Sequence, residues 1–347
     1  MKRLYNLDYL RGLAAFGIMI NHLLIWTRGE YNSENFMGRI GIYGVAIFYV
    51  LSGMAMYLVY HKKMVPSKPD LIDFIKKRFL RIFPLMWLVT IATIVLSGVK
   101  PDALKVFLNL SGLFGFISWH GYFAPGAWSI GNELVFYAFF PVFIFFANRS
   151  KTGLFIFSTL LFAIYIYFAF FLLDENIDLG SQWRNYVNPL NQVFLFLSGF
   201  LIVMFLKNKQ INNRNILILL LAAIALFVFY PASGDTINLV TGITRLVFTA
   251  ICIVVCISFF KLKFKLPNFI HKPLTILGEA SYSVYLLHPL IYKALSLLFS
   301  QFGATQDIPL YLLAIISGIL TLLASYLVYW YFERYFMQLG RGKEIVT

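Results

Sequence analysis

The chain has 347 residues, 60% of them hydrophobic and 13% charged, with a mean hydropathy of +0.77. That makeup excludes a soluble globular domain and is that of a polytopic membrane protein. The net charge of +14 does not signal nucleic acid, because the basic residues sit in short loops between apolar runs, where they set orientation.

A bilayer span needs about 20 mostly apolar residues. Ten segments qualify: 7–26, 38–60, 81–98, 129–147, 153–173, 190–206, 214–230, 238–260, 275–299 and 309–332. With the N-terminus placed inside, 21 of the 29 Lys and Arg residues fall in loops on the cytoplasmic side. The opposite loops hold Glu30, Glu34, Asp102, Asp174, Glu175, Asp178, Asp235 and Asp307. The expected fold is therefore an all-α membrane protein of about ten transmembrane helices, both termini cytoplasmic, forming one transmembrane domain over 1–347 with no appended soluble domain. Cys252 and Cys256 lie four apart inside an apolar run and read as small hydrophobes, neither a disulfide framework nor a metal site.

The first span carries RGLAAFGIMINH, residues 11–22. At 3.6 residues per turn, Arg11 and His22 lie about 20° apart around the axis and roughly 16 Å apart along it. They share a face and differ in depth, Arg11 toward the cytoplasm and His22 about a turn below the outer surface. Arg11 either snorkels to headgroups beside Asp8 or serves a site. His22, beside Asn21 and Gly17, reads more readily as a working group than as a packed one.

The second span ends GVAIFYVLSGM, with Ser52 and Gly53 in its inner half. Gly53 suits either close helix packing or approach of a ligand to the backbone. The segment PDLIDFIKKRFLRIFP, 69–84, puts Leu71, Ile75, Phe79 and Ile82 on one face, the pattern of a helix lying in the interface and leading into the third span. Its Arg78 and Arg81 are placed for phosphates, of lipid headgroups or of a ligand.

The outer segment from Val99 to Ala127 is long for a loop and ends SWHGYFAPGAWS, which makes it a functional candidate. The fourth span opens WSIGNELVFY and puts Glu133 about a turn below the outer surface, at the depth expected for His22. A carboxylate there would hold and orient the imidazole; alternatively Ser129 caps the helix and Glu133 bonds locally. The ninth span, LGEASYSVYLLHPLIYK, lines up Ser281, Tyr285 and His288 along one side.

Together, R-x10-H, GVAIFYVLSG, KRFLRIFPLMW, WSIGNELVFY and LGEASYSVYLLHP resemble, in order and over nearly the whole chain, the integral-membrane acyltransferase type 3 family. The resemblance implies transfer of an acyl group, usually acetyl, from cytoplasmic acyl-coenzyme A to a hydroxyl of an extracytoplasmic or lipid-linked carbohydrate at a bacterial inner membrane. Arg11 and His22 match the family's first-helix motif, Arg78 and Arg81 its paired basic residues, and Trp128, Ser129 and Glu133 its W-S-x-x-x-E. Many relatives carry a further hydrolase-like domain.

On this reading His22 is a general base or acyl carrier oriented by Glu133, and Arg11, Arg78 and Arg81 hold the phosphates of acetyl-coenzyme A while its arm passes Ser52. Tyr137 or His288 stabilises the developing oxyanion, and Trp119, His120, Tyr122 and Trp128 stack on a sugar or belong to an interfacial aromatic belt. No metal is expected. The alternative is a transporter of a lipid-linked sugar or small anion, which explains buried ionisable groups but not the cytoplasmic arginine pair.

Overall fold

In the computed structural model, residues 3–62, 64, 67–264, 266–301 and 309–341 are described. Lys2, Lys63, Lys265, Asp307 and Lys343, which enter the charge distribution, lie outside the described residues. Among those described, the elements are helices, without a strand. They are α1 (Tyr5–Arg28), α2 (Phe36–Tyr60), α3 (Lys68–Ser97), α4 (Ala103–Ser111), α5 (Phe114–Ile117), α6 (Ala127–Arg149), α7 (Lys151–Tyr167), α8 (Trp183–Tyr186), α9 (Pro189–Leu206), α10 (Asn213–Phe229), α11 (Gly242–Lys261), α12 (Asn268–Glu279), α13 (Ser281–Gln301), α14 (Leu310–Val328) and α15 (Arg334–Arg341).

Nine helical stretches among the described residues are long and apolar enough to cross a membrane. The tenth expected span is α10, a mostly apolar helix of 17 residues packed against α11. Its rise is about 26 Å, a little less than the ~30 Å hydrocarbon core. Several helices start on side-chain caps that meet otherwise orphaned N–H groups: Ser67, Asp102, Ser150, Asn188 and Asn212 each accept from a backbone N–H in the first turn.

Segment 69–84 is helical and leads without interruption into the third span, as one helix α3 from Lys68 through Pro84 to Ser97. Leu71, Ile75 and Phe79 do face outward, while Phe74 pins the segment to the core against Tyr60 and Phe140. The ninth span, expected at 275–299, is broken at Ala280 into α12 and α13. The break follows from packing: a Cβ on Gly278 would stand 2.1 Å from the Asp8 carbonyl oxygen, and one on Gly12 2.7 Å from the Gly278 nitrogen. Backbone-to-backbone contact of α1 with α12 thus fixes where the chain turns into α13.

The centre of the molecule is α2 against α9. A Cβ on Gly53 would lie 1.9 Å from the Phe196 oxygen, and one on Gly199 1.8 Å from the Val50 oxygen. Gly53 therefore serves close helix packing. Phe136, Phe140, Phe143, Phe196 and Phe200 fill the adjoining space, all fully buried. Cys252 and Cys256 are free and buried in the same core.

Two buried guanidiniums are consumed by the fold. Arg39 donates to the carbonyls of Ser33 (2.9 Å), Phe227 (2.7 Å), Val228 (2.8 Å) and Tyr230 (2.7 Å), closing the C-terminal end of α10. Arg245 donates to Asn191 Oδ1 (2.6 Å) and to the Asn191 carbonyl (3.0 Å), with its guanidinium 4.0 Å from the centre of the Tyr165 ring.

Candidate active site

Three other guanidiniums are used differently. Arg11 of α1 and Arg78 and Arg81 of α3 line a cavity of about 250 Å³ together with Ser52 of α2, Glu133 and Tyr137 of α6, and Tyr282 and Tyr285 of α13. Arg78 donates to the Tyr60 hydroxyl at 3.3 Å and lies 5.6 and 5.7 Å from the Tyr60 and Tyr137 ring centres. Its Nε is buried with no hydrogen-bond partner among the described residues. Arg81 reaches the Met337 sulfur at 3.2 Å, and Arg11 stands 3.9 Å from Asp8. Weak or long contacts of this kind leave guanidinium donors available to a ligand, whereas those of Arg39 are spent.

Glu133 is the carboxylate of this cavity. The Ser52 hydroxyl, which lines the same cavity, lies 2.9 Å from the Tyr137 hydroxyl. Three cations against one carboxylate give the chamber an excess positive charge suited to an anion.

A second hollow of about 460 Å³ shares Arg11 and Arg81 with the first and continues toward Arg3, Glu279, Trp330 and Arg334. Arg3 is paired with Asp8 (2.8 Å) and Glu279 (2.6 Å), while Arg334 lies 3.9 Å from the centre of the Trp330 ring. The two hollows make a cation-lined route from one end of the helix bundle into its interior.

His22 does not meet Glu133. Its Nδ1 lies 2.8 Å from Nε2 of His288 on α13, and Trp26 lies nearly parallel to both imidazoles. Phe48 and Tyr285, which line the far end of the arginine cavity, separate it from this pair; the Tyr285 and His288 ring centres are 6.1 Å apart. The expected His22–Glu133 pairing fails because Glu133 lines the arginine cavity while His22 Nδ1 is taken by His288. Helix α5 packs on the first turns of α6, with a Cβ on Gly115 placed 2.4 Å from the Gly131 oxygen.

A model of an acyltransferase domain matches residues 4–330. The chain belongs to the acyltransferase type 3 family. This family member is 26% identical over 354 residues to O-acetyltransferase OatA of Staphylococcus aureus strains NCTC 8325, COL and MRSA252, covering 94% of this chain and 56% of each relative. It thus spans about half the length of the curated relatives it matches. No solved structure gives a significant match.

In this acyltransferase domain the outer aromatic residues divide. Trp128 is 6% exposed and packs against Trp183 and Tyr186, with ring centres 5.6 and 5.7 Å away. Its ring is a packing element with no open face for a sugar. Trp119 is part-exposed and tied by its indole N–H to the Arg184 carbonyl (2.8 Å), next to the exposed His120. Tyr122 accepts from the Trp183 indole at 2.9 Å.

Ser129 donates to the Tyr285 hydroxyl (2.9 Å), which donates to the Gly126 carbonyl (3.1 Å). The W-S of the acyltransferase motif thus braces α6 against α13. His288 bonds His22 instead of standing apart as an oxyanion donor, and Tyr137 belongs to the arginine cavity.

Sequence reasoning placed Tyr285 on the polar side of the ninth span but did not find Tyr282, Trp26 or Glu333 as parts of this region of the acyltransferase. Glu333, 4% exposed, follows α14 and accepts from Ser283. A carboxylate in the otherwise apolar run YLVYWYFE was the available signal for it.

Proposed function

We propose that this domain transfers an acetyl group from acetyl-coenzyme A, entering from the cytoplasm, to a hydroxyl of an extracytoplasmic or lipid-linked carbohydrate, as in O-acetylation of a surface polysaccharide at a bacterial inner membrane. The observation that carries this reading is the cavity with three lightly engaged guanidiniums, one buried carboxylate and an unpartnered Arg78 Nε, with Phe48 and Tyr285 between it and the His22–His288 pair. Membership of an acyltransferase family favours it over transport, and the printed name of the Staphylococcus aureus relatives supports an O-linked acetyl product.

In this mechanism Arg11, Arg78 and Arg81 bind the donor's phosphates, with the Arg334 end of the route open to its nucleotide portion. Glu133, the carboxylate lining the same cavity, offsets part of their mutual repulsion. The thioester end passes Ser52 and Tyr137 and reaches His22 beyond Phe48 and Tyr285. His22 removes the acceptor hydroxyl proton as its oxygen attacks the thioester carbonyl; the carbon–sulfur bond breaks and the thiolate takes the proton back from the imidazolium. Basic residues concentrated on one side of the ten apolar segments support cytoplasmic termini and a cytoplasmic mouth for the arginine route.

The test is alkali-labile acetate on envelope glycans, measured by mass spectrometry in cells expressing the wild type, His22→Ala, or no protein. Acetate present only with the wild type is the expected result. Equal acetate in all three overturns the proposal.

A further inference from the structure

Positions ten residues beyond the Gly12–Gly278 contact bring His22 and His288 together on two helices that run side by side. Their ring planes are 21° apart with centres 5.1 Å from one another, a separation that fits a head-to-head N–H to N bond. His288 Nδ1 lies 2.9 Å from the Val284 carbonyl oxygen. A carbonyl only accepts, so His288 Nδ1 carries a proton.

His288 is 1% exposed, and its neighbours are Trp26, Tyr285 and His22. A buried imidazolium with no carboxylate against it is costly, so the ring is neutral and its Nε2 is a bare acceptor. The donor in the 2.8 Å contact must then be His22 Nδ1–H.

We propose that His288 is the positioning residue of the site: by accepting from Nδ1–H it holds His22 in the tautomer whose Nε2 lone pair is free to take a proton. This rests on His22 being the base of the proposed transfer. It assigns to a neutral histidine the orienting task that a carboxylate usually performs. When His22 Nε2 receives the acceptor proton, the same bond becomes charge-assisted and strengthens, so the imidazolium is stabilised at the moment it forms. Trp26, with ring centres 5.5 Å from His22 and 5.9 Å from His288, keeps both rings in register.

The experiment uses full-length protein in detergent with ring-15N-labelled histidine; the chain has five histidines, and His22 is assigned by its loss in His22→Asn. The wild type is expected to show a protonated Nδ1 and a bare Nε2 at His22. In His288→Leu the Nδ1 proton loses its acceptor and His22 moves to the opposite tautomer. His288→Gln, whose amide oxygen occupies the place of Nε2, retains the wild-type pattern and shows that the effect is not misfolding.

Turnover of acetyl-coenzyme A, read as released thiol, should fall about 10–100-fold in kcat for His288→Leu with the donor KM unchanged, the cost typical of losing an orienting partner, and recover in His288→Gln. A bare Nδ1 on His22 in the wild type, or His288→Gln as inactive as His288→Leu, overturns the proposal. Loss of turnover in His22→Ala with none in His288→Leu overturns positioning alone, whereas unchanged turnover in His22→Ala overturns the underlying reading as well.

Discussion

Replacing Arg78 by lysine keeps a positive charge and removes the planar fork, which separates binding from folding. The guanidinium holds little of the protein: one donation to Tyr60 at 3.3 Å and two ring contacts beyond 5.5 Å. Contacts of that quality contribute about 1 kcal/mol to stability, and lysine keeps part of it. A guanidinium whose donors meet a phosphate gains about 1.5–3 kcal/mol per charge-assisted bond. At ~1.4 kcal/mol per tenfold, Arg78→Lys should weaken coenzyme A binding roughly 10-fold to 150-fold while the unfolding midpoint of the unliganded protein stays nearly unchanged. Isothermal titration with coenzyme A in detergent reads the first, and a thermal scan reads the second. Affinity within twofold of wild type, or a destabilisation of several kcal/mol, would refute the assignment of Arg78 to a ligand.

Arg39→Met should behave in the opposite way: four carbonyl acceptors lose a buried charged donor, costing about 3–5 kcal/mol by analogy with broken buried charge partners, and an unaltered thermal midpoint would contradict it. Gly53→Val places a side chain where its Cβ alone would be 1.9 Å from a carbonyl oxygen. An overpacking cost of about 1–3 kcal/mol or more should appear as loss of the monodisperse peak on size exclusion, and a wild-type profile sinks the packing argument. Glu133→Gln removes the one carboxylate among three guanidiniums, so the donor KM should fall, while the 15N tautomer signature of His22 stays unchanged; a raised KM would contradict the charge argument, and a shifted signature would restore the direct Glu133–His22 link.

The membrane spans were legible because length and hydropathy are imposed by the bilayer on each segment separately. Arg78 and Arg81 and the shared face of Arg11 and His22 were legible for a related reason: their spacing is a property of one helix. What escaped was set between helices. The break at Ala280 lies in the stretch Gly278-Glu279-Ala280-Ser281 and comes from Gly278 lying on the Asp8 carbonyl, a contact with another helix. Glu133 lines a cavity shared by α1, α2, α3 and α13, and helix arithmetic on one segment cannot register those neighbours. The partner of His22 is 266 residues away, and Glu133, a carboxylate, was the more familiar choice. Trp128 looked like an exposed sugar platform because Trp183 and Tyr186, which cover it, belong to a later connection.

The most direct measurement is thiol release from radiolabelled acetyl-coenzyme A by the purified protein, wild type beside His22→Ala and the double variant Arg78→Gln, Arg81→Gln, all shown to be folded. The account predicts release by the wild type, background release by His22→Ala with coenzyme A still bound, and weakened coenzyme A binding by the double variant. Release by His22→Ala equal to that of the wild type would contradict it.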